Sequence, residues 1–254
     1  CIPYKINIRP VSGADYYLNL SYTLKEDTLW AAAGHELATS QFELPLKADK
    51  VLIVPKGELK VVKEHCVLKA IGDEFEVHFD LVKGKIIKAI KDNCEIIEEG
   101  PQLNFWRAPI DNDMYLVEDY KKKYFMHLWH QIVKSIEYSY NDNSLIFKVS
   151  TINGTTNSAW FYDSVYEYRV FGSGDILLNI YGKPSGVIEN APEMIPRIGV
   201  NFKLNKELTE VMYKGRGPLE SYADSKEAAL FGVYKNNIDG LFTNYIKLQE
   251  NGNR

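Results

Sequence analysis

Asn104 to Asp113 read Asn-Phe-Trp-Arg-Ala-Pro-Ile-Asp-Asn-Asp. Two aromatic rings, a guanidinium, a ring-locked proline and three consecutive polar acceptors thus stand close together. If the end of the run is extended, Asp111 and Asp113 point one way and Asn112 the other, because strand side chains alternate faces. Such a cluster suits a sugar-handling surface. Trp106 would stack on the apolar face of a pyranose while Arg107, Asp111, Asn112 and Asp113 take its hydroxyls. The same residues also allow a purely structural reading, in which Arg107 pairs with Asp111 or Asp113 to hold a loop and Trp106 packs into a core.

A second run, Tyr213 to Ser225, reads Tyr-Lys-Gly-Arg-Gly-Pro-Leu-Glu-Ser-Tyr-Ala-Asp-Ser. Gly215, Gly217 and Pro218 call for a tight loop in which backbone can approach another surface closely, with Arg216 projecting near Glu220 and Tyr222. Neither the glycine spacing nor the terminal lysine of a phosphate loop is present. Arg216 and Glu220 therefore stand as ligand contacts or, on the plainer reading, as a brace in which Arg216 bonds Glu220 or a carbonyl.

Other chemistry is poorly supported. Asp111-Asn112-Asp113 lacks the third alternating ligand and the glycine of a calcium loop. His127 and His130 have one-face helical spacing but no cysteine or carboxylate to complete a zinc site. No serine sits in a nucleophile elbow, and no cysteine has the basic neighbours that activate a thiol. Glu189-Asn190 lies in a turn-like, proline-rich stretch.

The elements that must position these residues read as strands. Tyr16 to Tyr22, Glu36 to Leu44, Phe75 to Leu81, Ser144 to Val149, Asp175 to Tyr181 and Ile198 to Leu204 are β-rich and roughly alternating. Turn residues recur at Lys25-Glu26-Asp27, Lys83-Gly84, Asn141-Asp142-Asn143, Asn153-Gly154 and Gly172-Ser173-Gly174. One helix is predicted over Val117 to Ser135, with Tyr120, Tyr124, Leu128 and Val133 with Trp129 as its apolar face. Closely spaced strands without intervening helices argue for a sandwich over a βαβ fold.

The chain has 254 residues, 45% of them hydrophobic and 25% charged, which is the composition of an ordinary globular protein. A net charge of −4 gives no electrostatic reason to expect nucleic acid or an anionic membrane as partner. No apolar run approaches the roughly 20 residues that cross a bilayer, and no leader sequence is visible. Cys1, Cys66 and Cys94 neither pair off completely nor show metal spacing, which favours a reducing compartment, the cytoplasm ahead of the periplasm, or a plain buried-thiol role. The start at Cys1 and the stop at Asn-Gly-Asn-Arg suggest a piece of a longer protein. Edge strands left open at cut ends would promote self-association into a homo-oligomer.

The Asn104 to Asp113 run resembles, nearly residue for residue, a signature of the C-terminal small-chain domain of glycoside hydrolase family 2 β-galactosidases. The Gly215-Arg216-Gly217-Pro218 run, with Glu220, Tyr222 and Asp224, resembles that domain's second motif, although Leu219 and Ser221 stand where the family usually has histidine or glutamine and asparagine. Trp30 to Phe42 is similar to the family's segment just before the domain, and Gln249 to Arg254 to a later turn. All four matches come in family order. The resemblance implies an all-β chain: residues 1–63 as part of an immunoglobulin-like β-sandwich, and 64–254 as a truncated galactose mutarotase-like β-supersandwich with one short helix.

The resemblance further implies a parent enzyme that hydrolyses terminal β-D-galactosides with retention, using two carboxylates about 5 Å apart on a barrel outside this chain. The chain itself would be non-catalytic, helping to shape the sugar site and the assembly, with β-galactoside or galactose and the rest of the parent enzyme as its partners. Mg²⁺ and a monovalent cation are implied as cofactors of the parent at sites outside this chain, with no metal or cofactor here. The family's late substrate-contacting tryptophan would follow Arg254. Two other functions compete: a stand-alone carbohydrate-binding module, and an aldose epimerase. The epimerase needs a positioned His/Glu acid-base pair, and neither motif contains a histidine.

Overall fold

The computed structural model describes residues 5, 7–49 and 55–252, so Cys1 and the last two residues of the Gln249 to Arg254 run lie outside the described residues. Two compact units emerge, Cys1–Val54 with Met212–Tyr234 and Arg254, and Pro55–Val211 with Lys235–Asn253. The chain is all-β, as its alternating patterns predict. Its sheets are antiparallel wherever the register is resolved.

In the first unit, β1 (Tyr16–Thr23) and β2 (Glu36–Leu44) pair antiparallel, Tyr16 opposite Leu44. Both match the alternating runs read from sequence. The second unit carries β3 (Lys60–Glu64), β4 (Val67–Ile71), β5 (Phe75–Asp80), β6 (Lys85–Lys91) and β7 (Cys94–Asn104). A short helix α1 (Val117–Lys122) follows, then β8 (His130–Tyr140), β9 (Ser144–Gly154), β10 (Trp160–Phe171), β11 (Ile176–Gly186) and β12 (Gly199–Leu204). These build a six-stranded sheet in the order β12-β7-β6-β5-β4-β3 and a four-stranded sheet in the order β11-β10-β9-β8. Last come β13 (Glu210–Gly217) and β14 (Leu230–Asn237), a two-stranded sheet.

The two large sheets bury one common core. Phe75, Val77 and Phe79 of β5, Leu68 and Ala70 of β4 and Ile86 of β6 meet Leu145, Phe147 and Val149 of β9 and Tyr166, Tyr168 and Val170 of β10. The period-2 burial of β5 is what one face on a core requires. At its centre Phe79 is fully buried, stacked on Phe147 with ring centroids 4.3 Å apart and edge-on to Tyr168 at 5.3 Å. The turn between β5 and β6 falls at Lys83-Gly84, as predicted. Gly84 has φ +63°, and a Cβ there would stand 2.5 Å from a Val149 methyl, so both backbone and packing demand glycine.

Two sequence expectations fail here. The helix predicted over Val117 to Ser135 ends at Lys122. Phe125 adopts φ +51°, a left-handed conformation that breaks a helix, and after a single 3-10 turn at Met126–Leu128 the chain becomes β8. Tyr120 is buried as expected, but Ile132, Val133 and Ile136 are β-branched and serve a strand. Asn153-Gly154, read as a turn, lies inside β9, where Asn153 pairs opposite Gln131 and Tyr162.

Burial of the core tyrosines has a consequence at high pH. The Tyr166 hydroxyl accepts the Leu103 amide at 2.8 Å, yet burial pushes its phenol up to about 12. Tyr168 is raised further, again by burial first and then by Tyr166. In the unfolded chain both phenols ionise near the ordinary value of 10. The unfolded state thus loses protons first, and stability intact below pH 10 must fall as pH rises through Tyr166's folded value. Tyr166 alone should account for about 2–3 kcal/mol of loss by about pH 12. Urea midpoints measured from neutral to strongly alkaline pH should show this decline, and a flat profile above pH 10 would count against neutral buried phenols.

Candidate functional site

The Asn104 to Asp113 motif begins on the last residue of β7 and leaves the sheet in a fold-back held by its own first side chain. The Asn104 amide nitrogen donates to the Trp106 carbonyl at 2.7 Å, and the Trp106 amide donates to Asn104 Oδ1 at 3.2 Å. This aims Phe105 inward, where it packs with Tyr120 and Met126 in a second, smaller core. Trp106 is half-buried against that core, its ring 5.9 Å from the ring of His127. Neither pure core nor free platform, Trp106 is a partly covered wall.

The acidic end of the motif is not extended. Asp111–Asp113 form a 3-10 turn, closed by the Asp113 amide donating to the Ile110 carbonyl at 2.9 Å. Three residues per turn fan out the side chains, so the alternation expected of an extended run is lost. Asp111 and Asn112 face solvent while Asp113 is buried. Arg107 grips Asp113 with both arms of its fork, Nε to Oδ2 and Nη2 to Oδ1, each at 2.9 Å, and the Ile110 amide donates to Oδ2 at 3.1 Å. Of the two partners considered for Arg107, the structure selects Asp113. Bidentate pairing of this kind is the strongest geometry available to an arginine and carboxylate.

Sequence reasoning missed two members of this network. Glu250 is buried, lies 3.7 Å from Arg107 Nη1 and forms an ion pair with Arg197. Arg197 precedes β12 and Glu250 lies near the end of the chain, so no local spacing signals that they meet Arg107. Tyr120 of α1 sits close by, its phenol raised by burial and by the Asp113 charge. The cluster is an interlocked set of opposite charges.

The second motif lies in the first unit and has its own brace. Arg216 Nη1 donates to the Lys226 carbonyl at 2.7 Å and the Ala229 carbonyl at 3.0 Å, while Nη2 stands 3.6 Å from Glu227. The carbonyl reading of Arg216 is thus the one observed. Gly217 is buried, and a Cβ there would meet the Tyr213 hydroxyl at 2.6 Å and the Tyr234 ring at 2.7 Å. Close approach, as expected from the glycines, is to those tyrosines. Glu220 is half-buried on the following loop. Elsewhere in this unit Tyr17 stacks on Phe231, and the Gln41 amide makes a two-way bond with the Phe231 backbone.

His127 and His130 do not share a helix face, since His127 lies in the 3-10 turn and His130 opens β8. Among the described residues no group of three or more His, Cys, Asp or Glu is placed to hold a metal ion. Cys66 and Cys94 are free, exposed thiols. No helix among the described residues is long and apolar enough to cross a membrane.

Known proteins are similar in sequence to this chain. A family described as Beta galactosidase small chain matches residues 71–254, and one described as Beta-galactosidase, domain 4, matches residues 2–45. Among curated relatives, a β-galactosidase of Priestia megaterium is 30% identical over 242 residues, covering 94% of this chain and 23% of the relative. One of Kluyveromyces lactis is 34% identical over 245 residues, covering 91% of this chain and 22% of the relative. One of Actinobacillus pleuropneumoniae is 27% identical over 262 residues, covering 99% and 25%. The chain spans about a quarter of the length of the curated relatives it matches.

Proposed function

This chain belongs to the β-galactosidase small-chain family, and from that membership we propose that it is the non-catalytic C-terminal part of a β-galactosidase. On this reading the parent hydrolyses terminal β-D-galactosides with retention, its two carboxylates standing on a barrel that this chain does not contribute. Residues 1–63 would belong to an immunoglobulin-like domain and 64–254 to a mutarotase-like sandwich that helps shape the sugar site. Mg²⁺ and a monovalent cation would serve the parent elsewhere.

The observation that best supports a shaping role is the Arg107, Asp113, Glu250 and Arg197 network. Its charges are committed to one another, which suits a rigid wall better than acid-base work. A general acid or base needs a carboxyl free to exchange protons with substrate, and Asp113 spends both oxygens on Arg107 and the Ile110 amide. Asp111 and Asn112, exposed on the same turn, are the candidates for contact with a sugar hydroxyl.

The test is direct. The purified 254-residue chain should give no turnover of a chromogenic β-galactoside above the buffer blank. Supplied to a Priestia megaterium β-galactosidase lacking the matched region, it should raise turnover. Measurable hydrolysis by the chain alone would overturn the reading.

A further inference from the structure

The outer edge of a sheet is a row of unpaired backbone groups, and three of the four edges of the two large sheets are guarded against further pairing. β3 is five residues long and carries Lys60, Lys63 and Glu64. β8 carries Lys134 and Glu137 and a bulge between Val133 and Ser135, while β12 carries Lys203 and two register shifts against β7. β11 is the exception. Residues 176–181 of that strand hold no charge, and its ladder to β10 runs without a bulge. Among the described residues nothing pairs with its outer edge.

The space beside that edge is one strand wide. Strands β3 to β7 of the six-stranded sheet all send residues into or against the common core, as do all four strands of the opposite sheet, but β12 sends none. Val200 and Leu204 of β12 pair opposite Leu103 and Ile97 of β7, which do pack on that core, so Val200, Phe202 and Leu204 form an inward row. That row is 43%, 52% and 45% exposed, with no strand of the other sheet lying over it. At one end of the gap a cavity of about 570 Å³ has Ile97 of β7 and Ile176 of β11 in its lining. A strand added to β11 would cover the row. A second copy of this chain cannot supply it edge to edge, because its β11 arrives with its own β7 packed beneath, in the place that β12 already fills.

We propose that β11 is a docking edge for one extended segment of a partner protein, added antiparallel as the next strand of the four-stranded sheet. The charges that flank the neutral stretch define that segment. Leu178 and Ile180 pack on the core, so Asp175, just before β11, and Lys183, near its end, share the outward face with Leu177, Asn179 and Tyr181. Lys183 stands opposite Asp163, whose carboxylate is already paired with Lys134 at 3.3 Å. Among the described residues neither Lys183 nor Asp175 forms an ion pair. The segment therefore carries an acidic residue opposite Lys183, a basic residue at its other end opposite Asp175, and apolar residues at the alternate positions that face Val200, Phe202 and Leu204. Neither sequence motif takes part, and the inference is independent of the β-galactosidase reading.

The fluorescein-labelled peptide Glu-Val-Thr-Val-Thr-Val-Thr-Val-Lys meets this description and is titrated against the full 254-residue chain, with binding followed by anisotropy. A second peptide with its end residues exchanged, Lys-Val-Thr-Val-Thr-Val-Thr-Val-Glu, has the same composition and sets like charges opposite each other. Saturable binding of the first is expected, at least about threefold tighter than that of the second. In the double variant Asp175→Lys, Lys183→Glu the preference should reverse. Both side chains are exposed, so the exchange leaves the core intact. Hydrogen exchange gives a second readout: saturating peptide should slow amide exchange within residues 176–181 and leave β3 unchanged. No saturable binding, equal binding of the two peptides, or a preference that survives the charge exchange would overturn the proposal. So would a dimer of the chain alone with amides 176–181 protected, which would assign the edge to a second copy. Release of the peptide by a Priestia megaterium β-galactosidase lacking the matched region would assign the edge to the parent and overturn it equally.

Discussion

Asp113→Ala is expected to destabilise the larger unit by about 2–4 kcal/mol, whereas Asp111→Ala, two residues earlier, should change stability by no more than about 0.5 kcal/mol. Both are aspartates of the same motif, and from sequence they were equivalent. Asp113 is 8% exposed and accepts three hydrogen bonds, two from Arg107 and one from the Ile110 amide. Removing it strips Arg107 of its fork partner and leaves the Ile110 donor in a buried setting without its acceptor. Glu250, at 3.7 Å, can hold part of the guanidinium charge, which places the cost below that of a fully isolated buried arginine. Asp111 faces solvent, and its alanine variant loses only hydrated surface. Urea unfolding followed by circular dichroism gives both values. Equal costs at the two positions would mean that the Arg107 fork does not hold the motif together.

Phe79→Ala should be more damaging still, at about 3–5 kcal/mol, a third or more of the stability of a typical domain. The ring touches both sheets, lying against Phe147 and Tyr168 of the four-stranded sheet while its own strand pairs Phe79 opposite Leu68. Neither sheet can close the gap alone, because each is held by its ladder of hydrogen bonds. A cavity then remains, and its surface adds to the lost transfer energy. Val82→Ala is the matched control. Val82 sits in the turn after β5, is 65% exposed, and should cost under about 0.5 kcal/mol. If both substitutions shift the urea midpoint equally, Phe79 is not the contact that joins the sheets.

How much of this was legible in advance depended on whether the signal was local. Strand alternation at Phe75 to Asp80 is a period of two residues within one element, and the observed burial follows it. The turns at Lys83-Gly84 and Gly172-Ser173-Gly174 depend on glycine and polar residues in place, and both were read correctly. Failure came where two local signals competed. Tyr120, Tyr124 and Leu128 have helical spacing, but the β-branched run from Ile132 had the stronger claim, and the left-handed Phe125 between them carries no sequence mark. Asn153-Gly154 has turn composition, yet its neighbours on β8 and β10 supply a ladder on both sides that outweighs local preference.

By itself the sequence determined the fold class, six of the fourteen described strands and the family, because each of these resides in residue types at short spacing: alternating β-formers, glycine turns, and two compact motifs. Tertiary structure alone decided what the motif residues do. Whether Arg107 met Asp111 or Asp113 depended on a 3-10 turn closed by one backbone hydrogen bond. Whether it also met Glu250 depended on a segment near the far end of the chain. The meeting of Gln131 with Asn153, and of Asn153 with Tyr162, follows from the register between three strands. A register is a relation between distant segments, set by which faces must leave water together, and no window along a single segment contains it.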